Sequence, residues 1–184
     1  MQSDCWYNMA LTFIPTIGPI TRRALLEEFT LSKNVFNASK KDLLQVKGIG
    51  EKIVNEILQW NNPSQVDAEY AFIQKHQITP LFITDANYPQ KLLECPDAPT
   101  LLYYKGTANL NASKILSNVS TRMPTQYGHY IIEDCLKNMP KDVLIVSGLA
   151  LGIDTIAHQT ALVNGLNTVG VLAHGLDEIY PPPN

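Results

Sequence analysis

Cysteine is scarce and scattered: Cys5, Cys95 and Cys135 are the three in 184 residues, odd in number and without a Cys-x-x-Cys pair. A disulfide framework or a thiolate zinc site therefore has no support, which suits a reducing cytoplasm. Charge is also thin, at 17% of residues and a net charge of -3. A chain not coated in positive charge has to hold any nucleic acid by a local patch or by backbone amides. With 45% apolar residues it is no disordered tail, and its ten glycines and twelve prolines follow no collagen-like period. Long apolar runs are missing too. The uncharged stretch from Cys5 to Thr21 follows Asp4 and contains Pro15 and Pro19, so it reads as neither a signal peptide nor a membrane span. No GxGxxG, Walker or GxSxG pattern occurs, and no His/Cys set has metal-ligand spacing, so neither a cofactor nor a metal is expected.

What is present changes style along the chain. Residues 1–62 hold seven Lys/Arg against six Asp/Glu, and residues 63–184 hold seven against eleven, so the first third is locally basic. Asn61-Asn62-Pro63-Ser64 breaks a helical pattern. The division expected is a small helical domain over 1–62, a linker and the start of an α/β domain over 63–110, and a partial Rossmann-like domain over 111–184.

The first third contains a weak repeat. Ile14-Pro15-Thr16-Ile17-Gly18 and Val46-Lys47-Gly48-Ile49-Gly50 lie 32 residues apart, each followed by an amphipathic stretch. Each copy predicts helix, tight turn, helix. Gly48 and Gly50 let the chain turn sharply and leave helix-start amides open to a phosphate, and Lys52 adds a charge one turn on. Leu43 to Val54 resembles a helix-hairpin-helix motif, which grips nucleic-acid backbone without reading sequence. The first copy is degenerate, with Thr16 in place of glycine and Pro19 removing an amide. Such paired hairpins also serve as purely structural packing modules.

The last seventy residues read as βαβαβ. Apolar runs at 114–121, 143–147 and 167–173 alternate with helical spacing over 128–139 and 153–164. On the first helix Ile131, Ile132, Cys135 and Leu136 share the apolar face. The pattern predicts a parallel sheet of Rossmann-like type with helices on both faces, incomplete at three strands, with ligands at the carboxyl ends of the strands. Those ends carry Ser120-Thr121-Arg122, Ser147-Gly148-Leu149-Ala150-Leu151-Gly152-Ile153-Asp154 and His174-Gly175-Leu176-Asp177. Gly148 and Gly152 frame a turn at a helix N-terminus, a place for a phosphate, and Arg122 offers a planar fork to the same anion. Asp154, four residues before His158, reads as the orienter of that imidazole. His174 reads equally as a ligand contact or a solvated loop residue.

Three blocks carry a family resemblance: Ser147 to His158, Val171 to Pro182, and Asp85-Ala86-Asn87-Tyr88-Pro89 running on to Leu102-Tyr103-Tyr104-Lys105-Gly106. Together they resemble the bacterial DNA-processing protein A family (DprA/Smf). The resemblance implies a cytoplasmic protein of natural transformation that binds and protects single-stranded DNA and helps load the recombinase RecA, without catalysis. It carries a DNA-phosphate contact onto Arg122, with Thr121, Ser147, Gly148, Gly152, His174 and Gly175 around it, and the hairpin residues Gly48, Gly50 and Lys52 as a further backbone contact. Two departures stand in the first strand end, where Ser120 adds a side chain and Asn118 puts an amide in a core strand at a cost of roughly 1–3 kcal/mol if unpaired.

Two other classes stay open at the level of sequence. Arg122, Asp154, His158 and Asp177 could surround a phosphoribosyl group in a nucleotide-binding or nucleotide-hydrolysing enzyme, although the PGGxGT-type loop of the phosphoribohydrolases is absent. The helical hairpins could instead be a protein-interaction module. Beside the family pattern, the chain stops before the later strands and second basic block, so an exposed sheet edge, marginal stability or a homo-oligomer masking the edge is expected.

Overall fold

The computed structural model describes residues 3–178; the Ile179-Tyr180-Pro181-Pro182 end of the last sequence block lies outside them. The chain forms two compact units, one ending at Lys105 and the other beginning at Gly106. The architecture is mixed α/β, a helical hairpin module followed by a parallel three-stranded sheet with its helices.

In the first unit, five helices build the repeat: α1 (Asp4–Thr12), α2 (Pro19–Phe29), α3 (Ser32–Asn37), α4 (Lys40–Leu43) and α5 (Glu51–Gln59). Ser3 caps α1, and Ser39 with Asp42 makes a capping box at α4. The core is itself repeated, since Ile14, Ile17 and Leu25 are buried like Val46, Ile49 and Ile57, each pair 32 positions apart. Both turns close with the same backbone bond, Ile17 to the Ile14 carbonyl at 3.0 Å and Ile49 to the Val46 carbonyl at 3.1 Å.

The stretch after residue 62 belongs to this unit. Helix α6 (Pro63–Lys75) starts on a proline whose missing N–H costs nothing at that position, and it packs on α1. Strands β1 (Thr79–Phe82) and β2 (Leu101–Tyr104) pair antiparallel, with Phe82 opposite Leu101. Between them the Asp85-to-Pro89 block is structural: the Asp85 carboxylate accepts from the Phe82 amide at 2.8 Å, and fully buried Tyr88 donates its hydroxyl to the Pro99 carbonyl at 2.6 Å.

The second unit runs β3 (Lys114–Ser117), α7 (Gln126–Lys137), β4 (Val143–Ser147), α8 (Ile153–Val163) and β5 (Asn167–Gly170), with the strands parallel in the order β3-β4-β5. Val143, Leu144 and Ile145 are consecutive and all buried, as a central parallel strand requires. Val143 and Ile145 meet Leu136 of α7 and Ala157 and Ala161 of α8 in one cluster, so both helices lie on that face of the sheet. Two successive crossovers of one hand in one direction have that result. β3 and β5 each pair on one side only among the described residues. On α7 the buried stripe is narrower than its spacing predicts. Leu136 is buried and Ile132 half-buried, whereas Ile131 and Cys135 are exposed, because the helix leans on α8 along its 128-132-136 line, with Gly128 against the Ile153 side chain.

Candidate DNA-binding site at the strand ends

The carboxyl ends of the three strands are laced together. The Asn118 amide donates to the Val146 carbonyl at 2.8 Å, the Ser147 hydroxyl donates to the Asn118 carbonyl at 2.8 Å, and the Val171 amide donates to the Ser147 carbonyl at 2.8 Å. Ser147 is thus a buried staple between strand ends, its hydroxyl committed to the Asn118 carbonyl. The side-chain nitrogen of Asn118 is buried without a partner among the described residues, so the cost foreseen for that amide is incurred.

Beyond the staple, the turn from Gly148 to Gly152 is strained into shape. Leu149 has φ 58° and Gly152 has φ 92°, left-handed values that glycine adopts freely and leucine does not. Asp154, in the first turn of α8, holds this turn. Its Oδ2 accepts from the amides of Gly148 at 3.2 Å and Ala150 at 3.4 Å. The Gly148 amide, expected to be open to a phosphate, therefore already has an anion, the protein's own carboxylate. The first amide of α8 is taken as well, because Ile153 donates to the Thr121 carbonyl at 3.2 Å.

That bond ties the β3 loop to the α8 turn. Gly152 lies so close to the loop that a Cβ on it would stand 2.5 Å from the Thr121 carbonyl oxygen and 2.7 Å from the Arg122 carbonyl carbon. The Thr121 hydroxyl also accepts from the Met123 amide at 3.1 Å. The backbone on either side of Arg122 is fixed, while its side chain is exposed and has no ion pair among the described residues. A fixed backbone presenting a free guanidinium is what an anion contact needs.

Asp154 does not orient His158 as its spacing suggested. The His158 Nδ1 meets the Thr168 hydroxyl at 2.6 Å, and that hydroxyl donates to the Ile145 carbonyl, so Nδ1 carries the proton. Among the described residues His158 Nε2 and Asp154 Oδ1 are both buried without a partner. Burial pushes the His158 imidazole below its ordinary pKa, with Asp154 opposing the shift. Neither is hydrogen-bonded to Arg122 among the described residues.

The structure brings Thr121, Arg122, Ser147, Gly148 and Gly152 together, but gives His174 and Gly175 no such tie. His174 Nδ1 donates to the Gly175 carbonyl at 2.9 Å, and a side chain on Gly175 would run into the Asp177 carboxylate. In the hairpin, Gly48 has φ 83° and needs to be glycine, whereas Gly50 is extended at φ -104°. Gly48, Gly50 and Lys52 are all exposed, and Glu51 faces Lys40 at 3.8 Å. In the first copy Thr16 lacks the positive φ, and its hydroxyl is buried without a partner among the described residues. Sequence reasoning missed Asp154 as the clamp of the glycine turn; a carboxylate six residues after Gly148 was the available signal.

Comparison with known proteins agrees with this layout. Residues 79–184 match the family model for DNA recombination-mediator protein A, and residues 9–59 match a SAM-like helix-hairpin-helix tandem. The chain is 37% identical to Protein Smf of Synechocystis over all of its own length and 47% of that protein's. It is 33% identical to the DNA processing protein DprA of Streptococcus pneumoniae over 79% of its length and 57% of that relative's. The chain thus spans about half the length of these relatives. The X-ray structure of the Streptococcus pneumoniae DprA is similar with a TM-score of 0.67 and 29% identity, covering 100% of this chain and 62% of that one.

Proposed function

The chain belongs to the DNA recombination-mediator protein A family, and on that premise we propose that it binds single-stranded DNA through a phosphate contact at Arg122. The observation that carries this reading is the exposed guanidinium, unpaired among the described residues, on a loop pinned by the Thr121 carbonyl and by the close approach of Gly152. Gly152 and Asp154 act as positioning residues, and Thr121 sets the backbone before Arg122. The hairpin residues Gly48, Gly50 and Lys52 supply a second, sequence-independent backbone contact. In the whole protein the captured strand is protected and passed to a RecA-type recombinase, the step that a recombination mediator serves, in the cytoplasm of a cell taking up DNA by natural transformation. The role is one of binding and transfer, without a catalytic step, and a homo-oligomer would multiply the contacts along one strand.

A labelled single-stranded oligonucleotide titrated across a salt series tests this. Arg122→Ala is expected to weaken binding and lower the salt slope by about one, and Lys52→Ala to weaken binding uniformly across sequences. An unchanged affinity and slope for Arg122→Ala would remove that residue from the interface.

A further inference from the structure

The outer face of α7 holds a niche of about 290 Å³ lined by Pro124, Thr125, Gln126, His129, Tyr130 and Glu133. Four of these recur at the i, i+3, i+4, i+7 spacing of one helix face, so they form a continuous stripe. Its parts are held in place. Thr125 is fixed as the N-cap of α7 by accepting from the Gly128 amide at 3.1 Å, and His129 Nδ1 stands 3.4 Å from Glu133 Oε2. Tyr130 is 61% exposed, a large ring on a helix surface where a charged residue would ordinarily stand, and Met123 and Tyr127 nearby are more exposed still.

The chemistry of the niche says what fits. It contains no Lys or Arg, so a phosphate is not its occupant. It offers one aromatic wall, an amide, an imidazole and a carboxylate, which suits a flat ring with hydrogen-bonding groups along its edge. Arg122 lies two residues before Pro124, and two trans peptide units span at most about 7 Å. A strand held by its phosphate at Arg122 would therefore bring an adjacent base to this wall. We propose that the niche takes one unstacked base of the bound strand, with Tyr130 as the stacking surface and Gln126 and Glu133 meeting the base edge. Every base carries at least one edge donor for Glu133 and a π face for Tyr130, so the contact is sequence-tolerant. This inference rests on the reading of Arg122 as a phosphate contact.

The test compares a mixed-sequence oligonucleotide with one of equal length made of abasic sugar-phosphate units, using the full chain. The expected result is roughly ten-fold tighter binding of the strand with bases, a preference lost in Tyr130→Ala and retained in Tyr130→Phe, with the salt slope unchanged in both. Equal binding of the two strands by the parent protein, or an undiminished preference in Tyr130→Ala, would overturn the base niche while leaving the Arg122 contact standing. A preference lost in Tyr130→Ala together with no effect of Arg122→Ala would sink the phosphate contact and, with it, the placement of the base argued from Arg122, leaving Tyr130 as a base contact of a strand held elsewhere. If neither strand binds, both readings fall. If Tyr130→Ala alters only sedimentation behaviour, the stripe is a self-association surface and the base niche is wrong.

Discussion

The α-carbon of Gly152 rests on the backbone carbonyl of Thr121, with 2.5 Å between that oxygen and the place a methyl group would occupy. The contact joins the helix that follows one strand to the loop that follows another, and the loop carries Arg122. Gly152→Ala has two penalties, a left-handed φ of 92° and a clash with backbone that cannot rotate away. The expected outcome is a loss of about 1–3 kcal/mol in a thermal or urea melt, by analogy with overpacking. DNA affinity should fall with it toward that of Arg122→Ala. A variant that melts and binds like the parent would show that the loop yields freely.

Asp154 clamps the same turn from inside, with one carboxylate oxygen accepting two amides. Removing it leaves the Gly148 and Ala150 amides without that acceptor, so Asp154→Ala is expected to cost roughly 2–3 kcal/mol. Asp154→Asn keeps a side-chain oxygen for the amides and should cost less. Urea melts of the two variants compare them directly, and equal losses would mean that the charge, rather than the acceptor, holds the turn.

The main layout was legible because it follows from periodicity. The 32-residue repeat marked both hairpins, and β4 stood out because a central parallel strand is apolar without interruption. Element ends were less visible. The run from Lys114 to Thr121 looked like one strand, but β3 stops at Ser117 and Val119 is 90% exposed. The site was legible as a place and less so in its wiring. Glycines framing a helix start signal room for an anion, and only the fold reveals that Asp154 is that anion. Likewise Ser147 and His158 have the residue types of a binding site, yet their partners, the Asn118 carbonyl and the Thr168 hydroxyl, are 29 and 10 residues away.

His158 gives the second unit a pH dependence of definite sign. Its imidazole is buried neutral, with a pKa below the ordinary value of 6.5. Between that lowered value and 6.5 the unfolded chain binds a proton that the folded chain refuses. Stability in this window therefore rises with pH and is lost as pH falls below about 6.5. Melting temperatures measured from pH 7.5 down to pH 5 should decline, and His158→Gln, which cannot take up a proton, should flatten the decline. An identical decline in the variant would assign it to other groups.

The two hairpin glycines look alike in sequence and are expected to behave differently. Gly48 at φ 83° sits where an L side chain is strained by roughly 1–2 kcal/mol, although nothing lies within 4 Å of a Cβ placed there. Gly50 is extended and equally open. Alanine there loses a little as an N-cap and gains by restricting the unfolded chain, two small terms of opposite sign that leave a net change within about 0.5 kcal/mol. A local probe is built in, because both tryptophans, Trp6 and Trp60, stack edge-on at 6.0 Å within this unit and Trp6 donates to Asp67 at 2.7 Å. Tryptophan fluorescence during denaturation therefore reports on the hairpin module. Gly48→Ala should shift its midpoint clearly downward while Gly50→Ala barely moves it; equal shifts would show that the left-handed turn at Gly48 is not what sets the hairpin.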